Sequence, residues 1–365
     1  MSAGTRAGSI CKKGKLIMGE KIEVRLPSDE KNKVDWEGLC ELIGRLRAGD
    51  GLDVPDLRVG MVQLQNLLAE LEASVDAFNS KAAELSCDQK RESPIIFERD
   101  CEVPLKQLKD LEGRWREYLR VKKWPAHEDF NMDGFYPYYT HQKKKILFVG
   151  REACYLAGKN YIEVVYRDLV NDNFNGWTVN QYPFHRRQFY MAYGILKALA
   201  EGGRFPEWED LPWASDMAAG TGEGKEKRVF AVENGISWAF MNLSKISNQT
   251  GDYRTDSARY LPFITDEGNR TYIGEEIRIL APDIIIGANV YELIDILGYD
   301  AKGEDDEPCC YYYPPVKEKG LPPFLNCYHF AAIKSDERCF YEPVMRIVKK
   351  HIVEWGWMDQ LRVEK

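Results

Sequence analysis

Four short apolar runs in the second part of the chain constrain its fold more than any other feature. They are ILFV at 146–149, WAFMNL at 238–243, DIIIG at 283–287 and PFLNCY at 323–328. Each run has the length of a strand and lacks apolar–polar alternation, which is typical of strands covered on both faces. Apolar residues at helical spacing occur between and after them, at 185–201, 270–281, 289–297 and 340–354. This succession predicts an α/β fold with a mainly parallel central sheet and helices on both faces.

The first hundred residues follow a different, helical pattern. Two apolar series recur at helical spacing on either side of the GDGLDVPD break, and a further helix is predicted at 104–119. We therefore expect an N-terminal helical extension over 1–100, a connecting helix and loop over 101–142, and an α/β catalytic domain over 143–365. The extension could clamp DNA, bind a protein partner or brace the core, and bracing is the favoured interpretation. The two series are Trp36, Leu39, Ile43 and Leu46, and then Met61, Leu64, Leu67, Leu68, Leu71, Val75 and Phe78.

Composition excludes several classes of protein. No apolar run approaches the roughly 20 residues that cross a bilayer, and the N-terminus lacks the apolar centre of a signal peptide, so a cytoplasmic protein without membrane contact is expected. Nine cysteines without any C-x-x-C pair indicate reduced thiols and no metal site. No cofactor is expected. A net charge of -8 argues against indiscriminate coating of nucleic acid but leaves a local basic cleft open.

Polar side chains follow each predicted strand. In parallel α/β sheets, ligands bind outside the carboxyl ends of the strands. The residues that come next are Gly150-Arg151-Glu152, Asn242 to Lys245, Gly287-Ala288-Asn289 and His329. A carboxylate, a carboxamide, a lysine and a histidine suit hydrolysis by water of a bond whose leaving group departs as an anion.

Two other sequence patterns for catalysis or nucleotide binding are not supported. GTGEG at 220–224 lacks both the preceding strand and the following Lys-Ser/Thr of a nucleotide-binding loop, so a flexible loop is expected there. A G-x-S-x-G nucleophile elbow does not occur in the sequence.

The order of the motifs resembles that of the uracil-DNA glycosylase superfamily over roughly residues 143–355. The motifs are GREACY after the first core strand, MNLSK ending the second, LAPDIIIGAN, and YHFAA near the end. This resemblance implies a DNA partner, a base flipped out of the helix, and hydrolysis of its N-glycosidic bond to leave an abasic site.

Carried over position by position, the resemblance gives three residues a part in the reaction. Glu152 falls where the family orients or activates water, Asn242 where it reads the base, and His329 where it hydrogen-bonds the pyrimidine O2. Cleavage builds positive charge on the sugar and negative charge on the base, so these groups act mainly in the transition state. The other expected site residues are base contacts at Gly150, Cys154, and Phe174 or Trp177, and DNA contacts at Arg151, Lys245, Ile333 and Lys334.

Departures from the family pattern bear on the substrate. Ala153 replaces the usual proline, and FAA follows His329 where Pro-Ser is common. Cys154 falls where uracil enzymes place a tyrosine that excludes C5-substituted bases, so a larger pyrimidine is expected to fit. The resemblance extends to antiviral glycosylases that excise hypermodified bases, such as glucosylated hydroxymethylcytosine, from phage DNA. The alternatives are a uracil-excising repair enzyme and a catalytically inert nucleic-acid-binding member.

Each chosen residue also has a structural interpretation. Glu152 is compatible with an acid at a helix N-terminus and Asn242 with a cap or turn residue. His329 would then be a hydrogen-bonded core histidine, and Arg151 a partner of a surface acid. For Phe174 and Trp177 taken singly, core packing is favoured over stacking on a base. The sequence leaves the oligomeric state open.

Overall fold

The computed structural model describes residues 95–220, 227–250, 254–300, 302–303 and 309–359. A boundary between two units of the chain falls between Ser93 and Pro94, and the described residues all belong to the second unit. The helices predicted within the first 94 residues lie outside the described part, as does most of the GTGEG stretch.

A six-stranded mixed sheet forms the centre of the unit. Its order is β1-β3-β2-β4-β6-β5. The four inner strands β3, β2, β4 and β6 are parallel, and β1 and β5 add to the two edges in the antiparallel sense. The α/β class is therefore confirmed, with a sheet that is mixed because of its edge strands. The strands are β1 Gly134–Phe135, β2 Ile146–Cys154, β3 Ala239–Asn248, β4 Ile284–Ala288, β5 Cys310–Tyr313 and β6 Phe324–Cys327.

Helices cover both faces of this sheet. Ile146 and Phe148 point into one apolar cluster with residues of α3 and α8, whereas Leu147 and Val149 point into a second with residues of α1 and α6. A strand buried on both faces needs apolar residues at every position, which explains the uninterrupted run ILFV. The helices are α1 Glu102–Val121, α2 Tyr161–Val170, α3 Pro183–Ala200, α4 Ala214–Ala219, α5 Ser257–Thr265, α6 Glu267–Leu280, α7 Glu292–Leu297 and α8 Glu342–His351.

Two strands are longer than the sequence predicted. β2 continues to Cys154 and β3 to Asn248, so Glu152 and Asn242 lie within strands and not after them. The reason is that backbone pairing of the two neighbours continues past the apolar runs, with Gly150 opposite Asn242. The register shifts beyond Glu152, where β3 carries extra residues in a bulge.

Helix boundaries also differ from the apolar periodicity. α6 begins at Glu267 because the Asp266 side chain accepts a hydrogen bond from the Asn269 amide and caps it. α7 begins only at Glu292, since Asn289 has a left-handed φ of 60° that a helix excludes. Elements that sequence periodicity did not identify are β1, β5, α2, α4 and α5.

The segment expected to connect two domains packs directly on the sheet. In α1, Leu111, Trp115 and Leu119 are fully buried in the same cluster as β2 and β3. The Trp115 indole donates a hydrogen bond to Asn269 Oδ1 of α6 over 2.8 Å. Within the described residues, no helix has the length and apolar character needed to cross a membrane.

Candidate functional site

Gly150 and Asn242 face each other on the two central neighbouring strands, β2 and β3. A Cβ atom added at Gly150 would lie 2.9 Å from Asn242 Oδ1 and 3.1 Å from the Phe240 ring. Both distances are shorter than ordinary contacts, so only glycine leaves room for the carboxamide at this position. Asn242 is 2% exposed, so its orientation depends on a few contacts within the protein.

Two rings meet beside this pair. Phe184, in the first turn of α3 after Pro183, comes within 3.7 Å of the Cβ position at Gly150. Its centroid is 5.6 Å from that of His329, which follows β6. The structure thus brings Gly150, Asn242 and His329 together around Phe184. Gly150, Asn242 and His329 were predicted as site residues from the sequence, whereas Phe184 was predicted only as part of an aromatic segment, Tyr155 to Tyr190, with enough material to line an enlarged cavity.

His329 is a neutral hydrogen-bond donor. Its Nδ1 accepts a hydrogen bond from the Ala331 amide over 3.3 Å, which assigns the ring proton to Nε2. Burial lowers the pKa of His329 to about 4, and the positive charges of Arg151 and Arg187 act in the same direction. At neutral pH the ring therefore presents an uncharged Nε2–H group.

Glu152 keeps one carboxylate oxygen available. Oε1 accepts from Asn248 Nδ2 over 2.9 Å and from the Asp256 amide over 2.8 Å. Within the described part of the chain, Oε2 accepts no hydrogen bond. Burial raises the pKa of Glu152, although these two donors oppose the shift. At 3.3 Å per residue, Glu152 lies about 7 Å beyond Gly150 along β2.

Arg151 connects the site to the loop after β4. Its Nε donates to the Asn289 carbonyl over 3.0 Å, and its guanidinium lies 6.0 Å from the centroid of Tyr260. The side chain is half-buried. Cys154 is also half-buried and pairs in register with Asn248, the hydrogen-bond partner of Glu152.

Lys245 occupies a position that does not fit a contact with DNA. Its side chain is 0% exposed, and the ammonium pairs with Asp133 and with Glu276, the latter over 2.7 Å. It also lies 5.5 Å from the centroid of Trp115. The predicted phosphate contact is therefore corrected: Lys245 is an internal ion-pair residue, since it points into the core from the interior of β3.

Phe174 and Trp177 flank a tight Asn-Gly turn on one side of the site. Their backbones exchange two hydrogen bonds, and Asn175 and Gly176 both have positive φ, as such turns require. The Phe174 ring stacks on Tyr182 and on His185, at centroid distances of 5.1 and 4.9 Å. Trp177 is 48% exposed. The ring of Phe184, and not of either residue, lies against Gly150.

A buried arginine donates hydrogen bonds to the backbone of the loop after His329. Arg187 of α3 is 2% exposed and donates hydrogen bonds to the carbonyls of Phe330, Ala332 and Lys334, and to Asp336. In the sequence, His185-Arg186-Arg187 forms a local basic cluster, which is more often a solvated surface than a phosphate site. The available signal for burial was the place of Arg187 on the apolar stripe of α3, between Phe184 and Met191 at helical spacing.

Ile333 and Lys334 lie at the exposed end of this loop. Ile333 is 102% exposed, and Lys334 Nζ lies 5.2 Å from the centroid of Tyr328. A β-branched apolar side chain with full exposure gains nothing from packing within this unit. The Arg187 hydrogen bonds nevertheless fix the backbone that carries it.

Within the described part of the chain, no group of three His, Cys, Asp or Glu side chains is arranged to hold a metal ion. Comparison with family models, curated proteins and solved structures gave no match to the chain.

Proposed function

We propose that the chain is a monofunctional DNA glycosylase of the uracil-DNA glycosylase type, which hydrolyses the N-glycosidic bond of a flipped-out, modified pyrimidine. The observation that carries the proposal is the position of Phe184, whose ring lies beside Gly150 and Asn242 on one side and 5.6 Å from the His329 ring on the other. An amide, an aromatic ring and a neutral N–H donor are groups that can hold a planar heterocycle. Glu152 lies farther along the same strand, at a distance suited to the sugar.

The reaction needs a donor at the base and an acceptor near the sugar. His329 Nε2–H donates to the pyrimidine O2, where negative charge grows as the bond breaks. Glu152 Oε2 accepts a hydrogen bond from water. The water oxygen bonds to the anomeric carbon, the electron pair of the broken carbon–nitrogen bond leaves with the base, and a water proton passes to Glu152. The products are a free base and an abasic site.

The exposed loop provides a means of holding the base outside the duplex. Extrusion costs a few kcal/mol of stacking and pairing. Ile333, fully exposed at the end of a fixed loop, suits insertion into the vacated stack, and Lys334 and Arg151 suit nearby phosphates.

The proposed substrate is a pyrimidine enlarged at C5, such as glucosylated hydroxymethylcytosine in phage DNA, and the biological setting is antiviral defence. Support comes from the small side chain of Cys154, which follows Glu152 by two residues on β2. A thiol at this position leaves more room than a phenol ring would.

Counting abasic sites on chemically distinct DNAs tests the proposal. Purified protein is incubated with glucosylated phage DNA and with oligonucleotides carrying uracil, hypoxanthine or 5-hydroxymethylcytosine, followed by alkaline cleavage. We expect strand breaks in the modified-cytosine DNAs. Breaks at uracil alone would indicate a repair enzyme, and tight binding without breaks an inert DNA-binding protein.

Two substitutions check the residue assignments in the same assay. We expect Glu152→Gln to lower the rate by about 10²–10⁴-fold, and His329→Ala by about 10²–10³-fold. Glu163→Gln, at an exposed position on α2, is the matched control and should retain full activity. Full activity of both site variants would contradict the assigned roles.

A further inference from the structure

We propose that Asp133 is a positioning residue that turns the Asn242 carboxamide oxygen toward the base, so that the site selects pyrimidines with an amino group at C4. This inference rests on the proposed base-binding role of the site. It names the class of base, which the Cys154 position alone does not decide. Asp133 was not identified by sequence analysis, because it lies before β1, in none of the predicted strands.

Asp133 meets Asn242 through two hydrogen bonds. Its Oδ2 accepts from the Asn242 backbone amide over 2.6 Å, and its Oδ1 accepts from Asn242 Nδ2 over 3.1 Å. A third donor, the ammonium of Lys245, reaches Oδ2. Asp133 is 3% exposed, so water does not compete for these contacts.

The three donors require the ionised form of Asp133. Burial raises the pKa of Asp133, and Lys245 and Asn242 oppose that shift. Lys245 is itself held between Asp133 and Glu276, and these two carboxylates raise its pKa despite full burial. An ionised carboxylate can only accept hydrogen bonds. It therefore draws the amide nitrogen of Asn242 and repels the amide oxygen.

The amide oxygen consequently faces the site. Oδ1 is the atom closest to the Cβ position above Gly150, with the Phe184 ring next to the same position. A carboxamide without such a neighbour can rotate to offer either an acceptor or a donor. Here rotation would place Oδ1 against the Asp133 carboxylate in a buried setting, where an unmatched acceptor pair costs about 1–3 kcal/mol.

Strand positions indicate which part of the base meets Asn242. β3 and β6 are three positions apart in the sheet, so Asn242 and His329 reach the ligand from opposite sides. If His329 donates to O2, Asn242 meets the polar group farthest from O2, which is the substituent at C4. An amino group there donates to Oδ1. A 4-oxo group would present a second acceptor and is disfavoured.

Binding to base analogues tests this inference. Glu152→Gln protein, which should bind without cleavage, is titrated with oligonucleotides carrying one 3-deazacytosine, pyrimidin-2-one or uracil, and fluorescence anisotropy gives each Kd. 3-Deazacytosine keeps the C4 amino group without the ring N3 acceptor, and pyrimidin-2-one keeps N3 without the amino group. We expect 3-deazacytosine to bind roughly fivefold to tenfold tighter than pyrimidin-2-one or uracil, the value of one hydrogen bond.

Asp133→Asn in the same protein should remove this preference, because a carboxamide at 133 can donate and lets Asn242 rotate. If this variant fails to fold beside Lys245, Asp133→Asn combined with Lys245→Met and Glu276→Gln removes all three buried charges together. Glu276→Gln, which leaves Asp133 intact, is the matched control and should keep the preference. A purely structural role for Asp133 would weaken binding of all three oligonucleotides equally.

The outcomes separate the inference from the proposed function. Equal binding of the three analogues by Glu152→Gln protein overturns the role of Asp133, whereas abasic sites formed by the unaltered protein would still support a glycosylase. A preference retained in the folded Asp133→Asn variants also overturns it. If no analogue binds more tightly than unmodified DNA and the unaltered protein forms no abasic sites, both the role of Asp133 and the proposed glycosylase function are overturned.

Discussion

At the level of single residues, two titratable groups of the site have pKa values displaced in directions that suit hydrolysis. Burial raises the pKa of Glu152 and lowers that of His329 to about 4. The carboxylate is thereby a better proton acceptor than an exposed glutamate, and the imidazole stays uncharged. In the proposed reaction, a neutral N–H donor forms a stronger hydrogen bond as negative charge develops on the base.

These shifts predict the pH dependence of the reaction. Under the proposed mechanism, the single-turnover rate requires ionised Glu152, so it should fall as the pH decreases through a pKa above the usual value of about 4.3. His329 stays neutral above pH 5, since its pKa is about 4. One acidic limb is expected, measured by quenched-flow cleavage from pH 4.5 to 8.5. A limb centred near the ordinary histidine pKa, or none above the pH of acid unfolding, would contradict it.

These pKa shifts could not be predicted from the sequence. Asn248 and Asp256, which bind Glu152, follow an unpredicted bulge and precede an unpredicted helix. Gly150 and Asn242 were found because apolar runs end near them. Asp133 and Phe184 were not selected as site residues, since their importance depends on contacts across 109 and 34 positions of the chain, which local patterns do not report.

At the level of elements, the loop after β6 has a backbone fixed by hydrogen bonds and an exposed end. Three backbone carbonyls of the loop accept hydrogen bonds from one buried guanidinium, whose planar fork of donors suits several acceptors at once. Ile333 is therefore presented to solvent on a fixed backbone. A side chain that replaces an extruded base needs such support, because the duplex resists its entry.

Ile333→Ala should slow excision from duplex DNA and leave excision from single-stranded DNA nearly unchanged. The reason is that a wedge stabilises the flipped state only where a stack must be vacated. Single-turnover rates on the same sequence in both forms measure the effect. Val121→Ala, at an exposed position of α1, is the matched control. Equal slowing on both substrates would assign Ile333 to another role.

Sequence patterns identified the inner strands but not their ends or edges. An apolar run marks where a strand is covered on both faces, as in ILFV and DIIIG. β2 continues beyond that cover because its backbone still pairs with β3, even where the side chains are polar. β5 escaped detection because CYYY is short and joins only at the sheet edge. At such polar strand ends, the proposed site residues interrupt the apolar pattern by which a strand is predicted.

At the level of the whole unit, a buried charged group joins the helical layer to the sheet. Lys245 on β3 pairs with Asp133 before β1 and with Glu276 on α6, beside Trp115 on α1. All three charged side chains are fully buried. Removing the single cation would leave two buried carboxylates without a counter-charge. Loss of the Lys245 ammonium should therefore affect both the stability of the unit and the orientation of Asn242.

Lys245→Met should reduce the free energy of unfolding by about 3–5 kcal/mol, the cost of breaking a buried ion pair by removing one partner. Urea unfolding followed by tryptophan fluorescence measures it, and adding Glu276→Gln to Lys245→Met should recover part of the loss.

The salt dependence of DNA binding is a second test of Lys245. Because Lys245 is buried, the salt dependence of the dissociation constant should not change in folded Lys245→Met protein. Lys334→Met, which removes an exposed cation, should lower the slope of log Kd against log salt by about one. If Lys245→Met lowered that slope while stability stayed unchanged, Lys245 would contact phosphate after all.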